Sequence, residues 1–401
     1  MSVITTSTVS TCGDVMVVLG SVETSAAGTR SVVATGSGVV VADVVAEELV
    51  VVDAGVVAAV VASREVSPPH ARISRQAAAG KPILVTIRAV INMAMNLTWV
   101  VRAPRREQPM ELAICADSSW NRWHPTYEQL GERCRRLGIG AIELVYYPQN
   151  DGFDNAAETL NGYGVRIVCV NATAKWRVMI TDDVAAAQRA ICDVINLAAD
   201  AGAEFVITYP GHNPAWGFDE IVERYKRRME PCHDLAAGKG ITMLLENHFD
   251  LRNEDPGRTD VVREPELTAR FLDALDIPHI RVNFDAGNVY AAGIEPWPYG
   301  YRILRDYIAY AHLKGMARFS EEIYGPADQY ETLSDAHAGT FLPIAVGDDG
   351  INYRGLLMEM EQDGTAKYAA FEDHAREEHA EEVFERGVVF AREAIEASSS
   401  G

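Results

Sequence analysis

The chain has 401 residues, 48% hydrophobic and 23% charged, with a formal net charge of -21 at pH 7. That balance belongs to a soluble globular protein long enough to bury one large core or two ordinary ones. So acidic a surface repels phosphate backbones and argues against nucleic acid as a partner.

Residues 1–109 differ from the rest. They carry nine basic and eight acidic side chains, which leaves a net of -22 for residues 110–401. Residues 32–63 are rich in Val, Ala and Gly, but Asp43, Glu47, Glu48 and Asp53 interrupt them and no basic n-region precedes them. Those charges argue against both a membrane span and a signal peptide. The hydrophobic period is neither 2 nor 3.6. Val-rich pieces such as residues 39–45 have strand character, yet no turn signals divide them. Pro68-Pro69 and the Arg-rich residues 102–106 read as linker. The expectation for residues 1–109 is a weakly ordered Val/Ala-rich extension, or sequence upstream of a native start at Met110. A small domain of its own is the alternative.

From Met110 the pattern becomes regular, and residues 110–401 read as one domain. Residues 111–116 form the first predicted strand, and 127–137 an amphipathic helix stopped by Gly138. Strand two covers 141–147, with a short helix at 156–160. Strand three covers 165–170. Thr181-Asp182-Asp183 caps a long helix reaching Ala201, with carboxylates at its start as the helix dipole prefers. Strand four (205–209) precedes a helix over 218–237. Strand five is the apolar run 241–245, ending at Glu246. A helix over 264–275, strand six (280–284), a helix over 301–307 and strand seven (308–311) follow. Residues 316–352 read as irregular. A helix at 353–361, strand eight (367–371) and a helix over 377–396 close the chain. Eight strands alternating with helices match a (β/α)8 TIM barrel. A doubly wound sheet fits less well, because no Gly-rich phosphate loop follows the first strand.

Four of these strands end in the same kind of chemistry. Strand five runs into Glu246, strand six into Asp285, strand seven into His312 and strand eight into Glu372. Strand C-termini converge on one mouth of such a barrel, so residues far apart in sequence become neighbours there. Three carboxylates and one imidazole suit one divalent ion, Mn²⁺ with Mg²⁺ or Co²⁺ as alternatives, better than a structural zinc. Any one of the four alone would more simply be a helix cap or an ion-pair partner. The six cysteines show no close pairing and lie within apolar patterns. They read as reduced, buried thiols, which points to the cytoplasm.

Leu245-Glu246-Asn247-His248, Phe284-Asp285-Ala286-Gly287-Asn288, Ala311-His312-Leu313-Lys314 and Phe371-Glu372-Asp373-His374 resemble the signature strands of the xylose isomerase-like TIM barrel superfamily. Gly347 to Tyr353 resembles that family's Gly-rich turn before its last helix and strand. The resemblance spans residues 110–397. It implies a metal held by Glu246, Asp285, His312 and Glu372, with Glu246 and Glu372 also exchanging protons with the carbon of a small sugar or polyol ketone through an enediolate. Arg318 matches an epimerase arginine that contacts a substrate oxygen, and Lys314 offers a second cation for a hydroxyl, carboxylate or phosphate. Either reads equally as a rim ion pair. Relatives of this barrel commonly associate, so a homo-oligomer is expected.

One departure concerns strand six. The family often carries His three residues after the strand-six Asp, and here that residue is Asn288, which hydrogen-bonds but cannot shuttle protons. His248 and His212 sit in loops on the mouth side and read as pocket residues rather than ligands. Glu143, near the end of strand two, reads as a substrate contact or, more simply, as a buried ion pair. Trp120, Trp123, Trp176 and Trp216 either wall a sugar pocket or pack loops. An endonuclease IV-like nuclease would need further His ligands, and Val170-Asn171-Ala172-Thr173 supplies none after strand three. Inosose-type dehydration is the nearer alternative, because it starts from the same proton abstraction. A non-catalytic sugar-binding barrel is the reading outside enzymology.

Overall fold

The computed structural model describes strands between residues 9 and 58, and residues 109–399 apart from 117–125, 146–154, 173–181, 212, 214, 250–259, 331, 336, 349 and 375–376. The chain divides into two compact units, Met1–Thr98 and Trp99–Gly401. In the first, Val9–Cys12, Val15–Leu19, Gly28–Thr35 and Glu23–Ser25 pair in that order, all antiparallel. Gly38–Val44 pairs along Gly28–Thr35, from Thr29↔Val44 to Thr35↔Gly38. The Val-rich piece near residue 40 is therefore a strand.

The second unit is a closed barrel of eight parallel strands: β1 (Glu111–Cys115), β2 (Ala141–Val145), β3 (Arg166–Asn171), β4 (Phe205–Thr208), β5 (Thr242–Glu246), β6 (Arg281–Asp285), β7 (Ile308–Leu313) and β8 (Tyr368–Phe371). Each pairs with its chain neighbours, and β8 closes on β1 through Tyr368↔Glu111 to Phe371↔Ile114. The intervening helices are α1 (Tyr127–Leu137), α2 (Ala156–Gly162), α3 (Val184–Asp200), α4 (Phe218–Gly238), α5 (Pro265–Leu275), α6 (Tyr301–Leu304), α7 (Tyr353–Asp363) and α8 (Glu377–Ser399).

Local chemistry sets the helix ends. Thr126 and Gln129 cap α1 reciprocally, each side chain on the other's backbone N–H (3.3 and 2.8 Å), and Gly138 stops it at φ 65°. Asp183 accepts from Ala186 N–H at the start of α3. Asn352 does the same for α7 through Gly355 N–H.

Strand alternation then sorts side chains into two cores. Outward residues such as Ile114, Ile142, Val170, Val206, Leu245, Phe284 and Ala369 pack against the helices. Inward residues, including Cys115, Val145, Cys169, Ile207, Leu244, Tyr310 and Ala370, fill the barrel. Its floor is aromatic, with Phe205, Tyr310 and Tyr368 ring centroids 5.6–6.1 Å apart. Cys115, Cys134, Cys169, Cys192 and Cys232 form no disulfide, and all but Cys192 are buried.

Two expectations need correction, and one segment carried no reading. Residues 316–352 are not irregular. They hold a three-stranded antiparallel sheet, Met316–Arg318, Gly339–Pro343 and Leu333–Asp335, with Gly339–Pro343 in the middle. Strands of three to five residues are too short to show a period. The segment after β6 contains a helix at Ala286–Ala291 and a turn at Pro296–Gly300 kinked at Trp297, where the Gly and Pro residues masked any helical signal. The helix expected over 301–307 is four α-helical residues followed by a 3₁₀ turn, Arg305–Tyr307.

Candidate metal centre

The same alternation that places Leu244, Tyr310 and Ala370 inside the barrel places Glu246, His312 and Glu372, two residues on, inside its C-terminal mouth. Asp285 is the register partner of His312, and Glu372 N–H donates to Leu313 C=O at 3.1 Å. All four are buried: Asp285 and His312 are 0% exposed, Glu246 4% and Glu372 7%. One donor atom of each lies within 4.8 Å of those of the other three. His312 Nδ1 is 3.2 Å from Glu372 Oε2, 3.9 Å from Asp285 Oδ2 and 4.0 Å from Glu246 Oε1.

Burying three carboxylates together is expensive unless something repays it. Lys314 Nζ, 2.9 Å from Asp285 Oδ2 and 2.6 Å from Glu372 Oε2, offsets part of that cost, but one ammonium stands against three carboxylates. Three converging oxygens and one imidazole nitrogen are a donor set for a divalent cation, and the residues present fit such an ion.

The frame around the four is dense. Asn247 bridges the ends of β5 and β6, its Nδ2 donating to Asp285 C=O (2.8 Å) and its Oδ1 accepting Asp285 N–H (2.9 Å). Asp285 Oδ1 caps the following helix through Asn288 N–H at 2.8 Å. Lys314, 4% exposed, places Nζ 2.9 Å from Asp285 Oδ2 and 2.6 Å from Glu372 Oε2. It also donates to Asn288 Oδ1 at 3.1 Å. Asn288 Nδ2 donates in turn to Asn247 C=O (3.0 Å) and Glu246 Oε1 (3.3 Å). The Tyr353 hydroxyl accepts Lys314 N–H and donates to Lys314 C=O, at 2.9 and 3.0 Å. A Cβ on Gly287 would lie 2.6 Å from Lys314 O, so only glycine lets the two backbones approach.

The fields on the two glutamates differ. Burial, then the charge of Glu372, pushes the Glu246 carboxyl up to about 8. Burial works upward on Glu372 too, but Lys314 and His312 outweigh it and hold that carboxyl well below the usual range. Burial also raises Asp285. It opposes charge on His312, but Glu143 and Glu372 raise that imidazole well above its ordinary value.

The other expected site residues are more scattered. Glu143 is fully buried beneath His312, with Oε2 2.9 Å from Nε2. His248 is half-buried, its Nδ1 2.6 Å from Phe249 C=O and its ring against Tyr209. Arg318 is exposed on the antiparallel sheet, donating to Ala338 C=O at 2.7 Å and lying over the Phe341 ring. Trp216 packs beneath Arg224, 4.1 Å from its guanidinium carbon. His212, Trp120, Trp123 and Trp176 lie outside the described residues. Sequence reasoning assigned no role to Asn247, Asn171, Cys115 or Tyr353. Asn247 stands inside the strand-five motif and Tyr353 inside the Gly-rich turn, so a signal existed for both.

An eight-stranded parallel barrel with a carboxylate–imidazole centre in its C-terminal mouth defines a TIM barrel of the type that holds its chemistry at strand ends. Residues 132–394 match the xylose isomerase-like TIM barrel family, and the chain belongs to it. Its fold is similar to that of D-psicose 3-epimerase from Clostridium cellulolyticum H10, solved with D-tagatose (13% identity, TM-score 0.55, covering 71% of this chain and 99% of that one). It is similar also to the probable 3-DHS dehydratase AsbF of Bacillus anthracis (16% identity, TM-score 0.53, 70% and 98% covered). A third likeness is to a xylose isomerase-like TIM barrel protein of Mycobacterium smegmatis in complex with magnesium (15% identity, TM-score 0.52, 73% and 98% covered). No curated protein matches the sequence. Among the described residues no helix is long and apolar enough to cross a membrane.

Proposed function

We propose that the chain is a divalent-metal-dependent isomerase or epimerase acting on a small sugar or polyol ketone through an enediolate. The observation that carries this reading is the convergence of Glu246, Asp285, His312 and Glu372 within 4.8 Å inside the barrel mouth. Those four would hold the ion, with Mn²⁺ first and Mg²⁺ or Co²⁺ as alternatives. When bound, the ion would supply Lewis acidity to a substrate carbonyl.

The chain's own residues supply the proton transfers. Glu246 and Glu372 are the proton-exchanging pair: one carboxylate takes the carbon-bound proton and the other returns one. Lys314 sits where its ammonium can hold a substrate oxygen beside both groups. Arg318, exposed and donating to Ala338 C=O, is assigned with His248 and His212 to substrate contacts.

A dehydratase reading has one specific observation in its favour. Asn288 stands where the family often has a proton-transferring His, and its Oδ1 accepts from the buried ammonium of Lys314, a candidate donor for a departing hydroxyl. The test is proton exchange. The full chain, stripped and reloaded with Mn²⁺, is followed by NMR in D₂O with ketoses, hydroxypyruvate and inosose. Exchange at the carbon that disappears in Glu246→Gln and Glu372→Gln is expected. Product retaining its water supports the isomerase, and product lacking it the dehydratase. Stoichiometric metal binding with no exchange on any of these compounds would refute both in favour of a binding protein.

A further inference from the structure

Glu143 lies deeper than the four residues of the mouth, and it is fully buried. Its carboxylate is surrounded by donors from three strands. Oε1 accepts from Asn171 Nδ2 at 2.8 Å and from the Cys115 thiol at 3.2 Å, and Oε2 is 2.9 Å from His312 Nε2. Cys115 is its register partner on β1, Asn171 ends β3, and His312 reaches it from β7 across the interior. Both oxygens are engaged and neither reaches solvent, so Glu143 has nothing to offer a substrate.

The donor pattern decides how the histidine is protonated. A carboxylate only accepts, so the imidazole nitrogen facing Oε2 carries a hydrogen. The proton that an incoming ion displaces is then the one on Nδ1, the buried atom 3.2 Å from Glu372, 3.9 Å from Asp285 and 4.0 Å from Glu246, and the Nδ1 lone pair is the one that ligation uses. Histidine ligates through its unprotonated nitrogen, and its other ring nitrogen is fixed by an outer partner. We infer that Glu143 is a positioning residue: held by Asn171 and Cys115, it fixes His312 as the Nε2–H tautomer and aims the Nδ1 lone pair at the ion site. This rests on the proposed metal reading. It also accounts for Cys115, Glu143 and His312 falling close enough to suggest a second metal group. Their contacts are proton-filled hydrogen bonds at 3.2 and 2.9 Å.

The informative substitution is the isosteric one. In Glu143→Gln the amide oxygen best accepts from Asn171 and Cys115, which turns the NH₂ toward His312 Nε2. The ring must then accept there and carry its proton on Nδ1, which blocks ligation. Adding Asn171→Asp supplies an acceptor for that NH₂, turns the amide oxygen back to His312 and restores the tautomer. Mn²⁺ binding to the full chain is measured by calorimetry, with circular dichroism confirming the fold. The ring nitrogens are read by NMR on Mg²⁺-loaded, ¹⁵N-histidine-labelled protein.

One ion is expected in wild type, with affinity lower by roughly 10–100-fold in Glu143→Gln and largely regained in Glu143→Gln/Asn171→Asp. Equal affinity in wild type and Glu143→Gln would overturn the inference while leaving the metal reading intact. A second bound ion lost in Cys115→Ala would overturn it in favour of a second metal group. No ion bound by wild type would remove the metal reading and the inference together. If Glu143→Gln fails to fold, wild type alone decides, because a proton on His312 Nδ1 in the loaded protein refutes the assignment.

Discussion

Lys314→Met isolates what the buried ammonium does. Its Nζ lies 2.9 Å from Asp285 Oδ2 and 2.6 Å from Glu372 Oε2, in a residue 4% exposed. Methionine keeps the apolar stem and removes the charge, leaving two buried carboxylates without their cation. Breaking a buried pair in this way costs about 3–5 kcal/mol. At roughly 2 °C per kcal/mol for a domain this large, the metal-free variant should melt about 6–10 °C below wild type. A divalent ion binding the same oxygens no longer competes with the ammonium, so the melting temperature should recover on adding Mn²⁺. In wild type an ion at 100 times its Kd adds only about 2.7 kcal/mol, and the variant should gain more. Burial opposes the charge on Lys314, but Asp285 and Glu372 outweigh it and raise the group above its ordinary 10.5. A raised cation contributes fully below its unfolded value and loses that contribution as pH rises through the folded one. The wild-type advantage is therefore intact at neutral pH. Melting curves of EDTA-treated protein at pH 7.5, with and without Mn²⁺, are the assay. A metal-free variant as stable as wild type, or one that gains no more from Mn²⁺, would refute the argument.

Two further substitutions test the frame that carries the site. A Cβ at Gly315 would lie 2.1 Å from Ile344 O and 2.7 Å from Ala345 C, both backbone atoms. Gly315→Ala should cost about 3 kcal/mol in urea unfolding, whereas Gly217→Ala, with nothing within 4 Å, should stay within about 0.5 kcal/mol. Arg263 pairs with the buried carboxylate of Asp335 and donates to Ala292 C=O at 2.8 Å, tying the antiparallel sheet to the start of α5. Arg263→Met should cost about 3–5 kcal/mol near neutrality. Burial pushes the Asp335 carboxyl up, but Arg263 and the N–H groups of Ala338 and His337 hold it below its ordinary 3.8. That stability is present above the unfolded value and is lost as pH falls through the folded one. The gap between variant and wild type should therefore narrow during acid unfolding, and a constant gap would count against the pair.

The fold was legible where periodicity and capping act over whole elements. The predicted bounds of α1 match, because Thr126, Gln129 and Gly138 write both ends of the helix into the chain. The four strand-end residues were legible for a similar reason: a short apolar run ending in one ionisable group puts that group in the mouth once the barrel closes. What stayed hidden depends on contacts that no local pattern encodes. Glu143 meets His312 only because β2 and β7 face each other across the interior, 169 residues apart in sequence. Strands such as Met316–Arg318 exist because Gly339–Pro343 pairs with them, and three residues carry too little pattern to announce that.

Asn288 is where the sequence departs from the family's expected His, and its surroundings predict what restoring that residue would do. Asn288 is fully buried. Its Oδ1 accepts from Lys314, and its Nδ2 donates to Asn247 C=O and Glu246 Oε1. A neutral imidazole has one donor and one acceptor, so it satisfies at most two of these three contacts, and its larger ring must displace close neighbours. Asn288→His should therefore destabilise the protein by about 1–3 kcal/mol, the cost of a buried polar group left unpaired. It should also lower the rate of carbon–proton exchange, because Lys314 and Glu246 both lose their fixed partner. Exchange rate and urea midpoint are measured on the same Mn²⁺-loaded sample. Faster exchange at undiminished stability would mean that the pocket still accepts a proton-shuttling His. A loss in both is the outcome expected if the amide and Lys314 work as one unit beside the proposed proton-exchanging pair, Glu246 and Glu372.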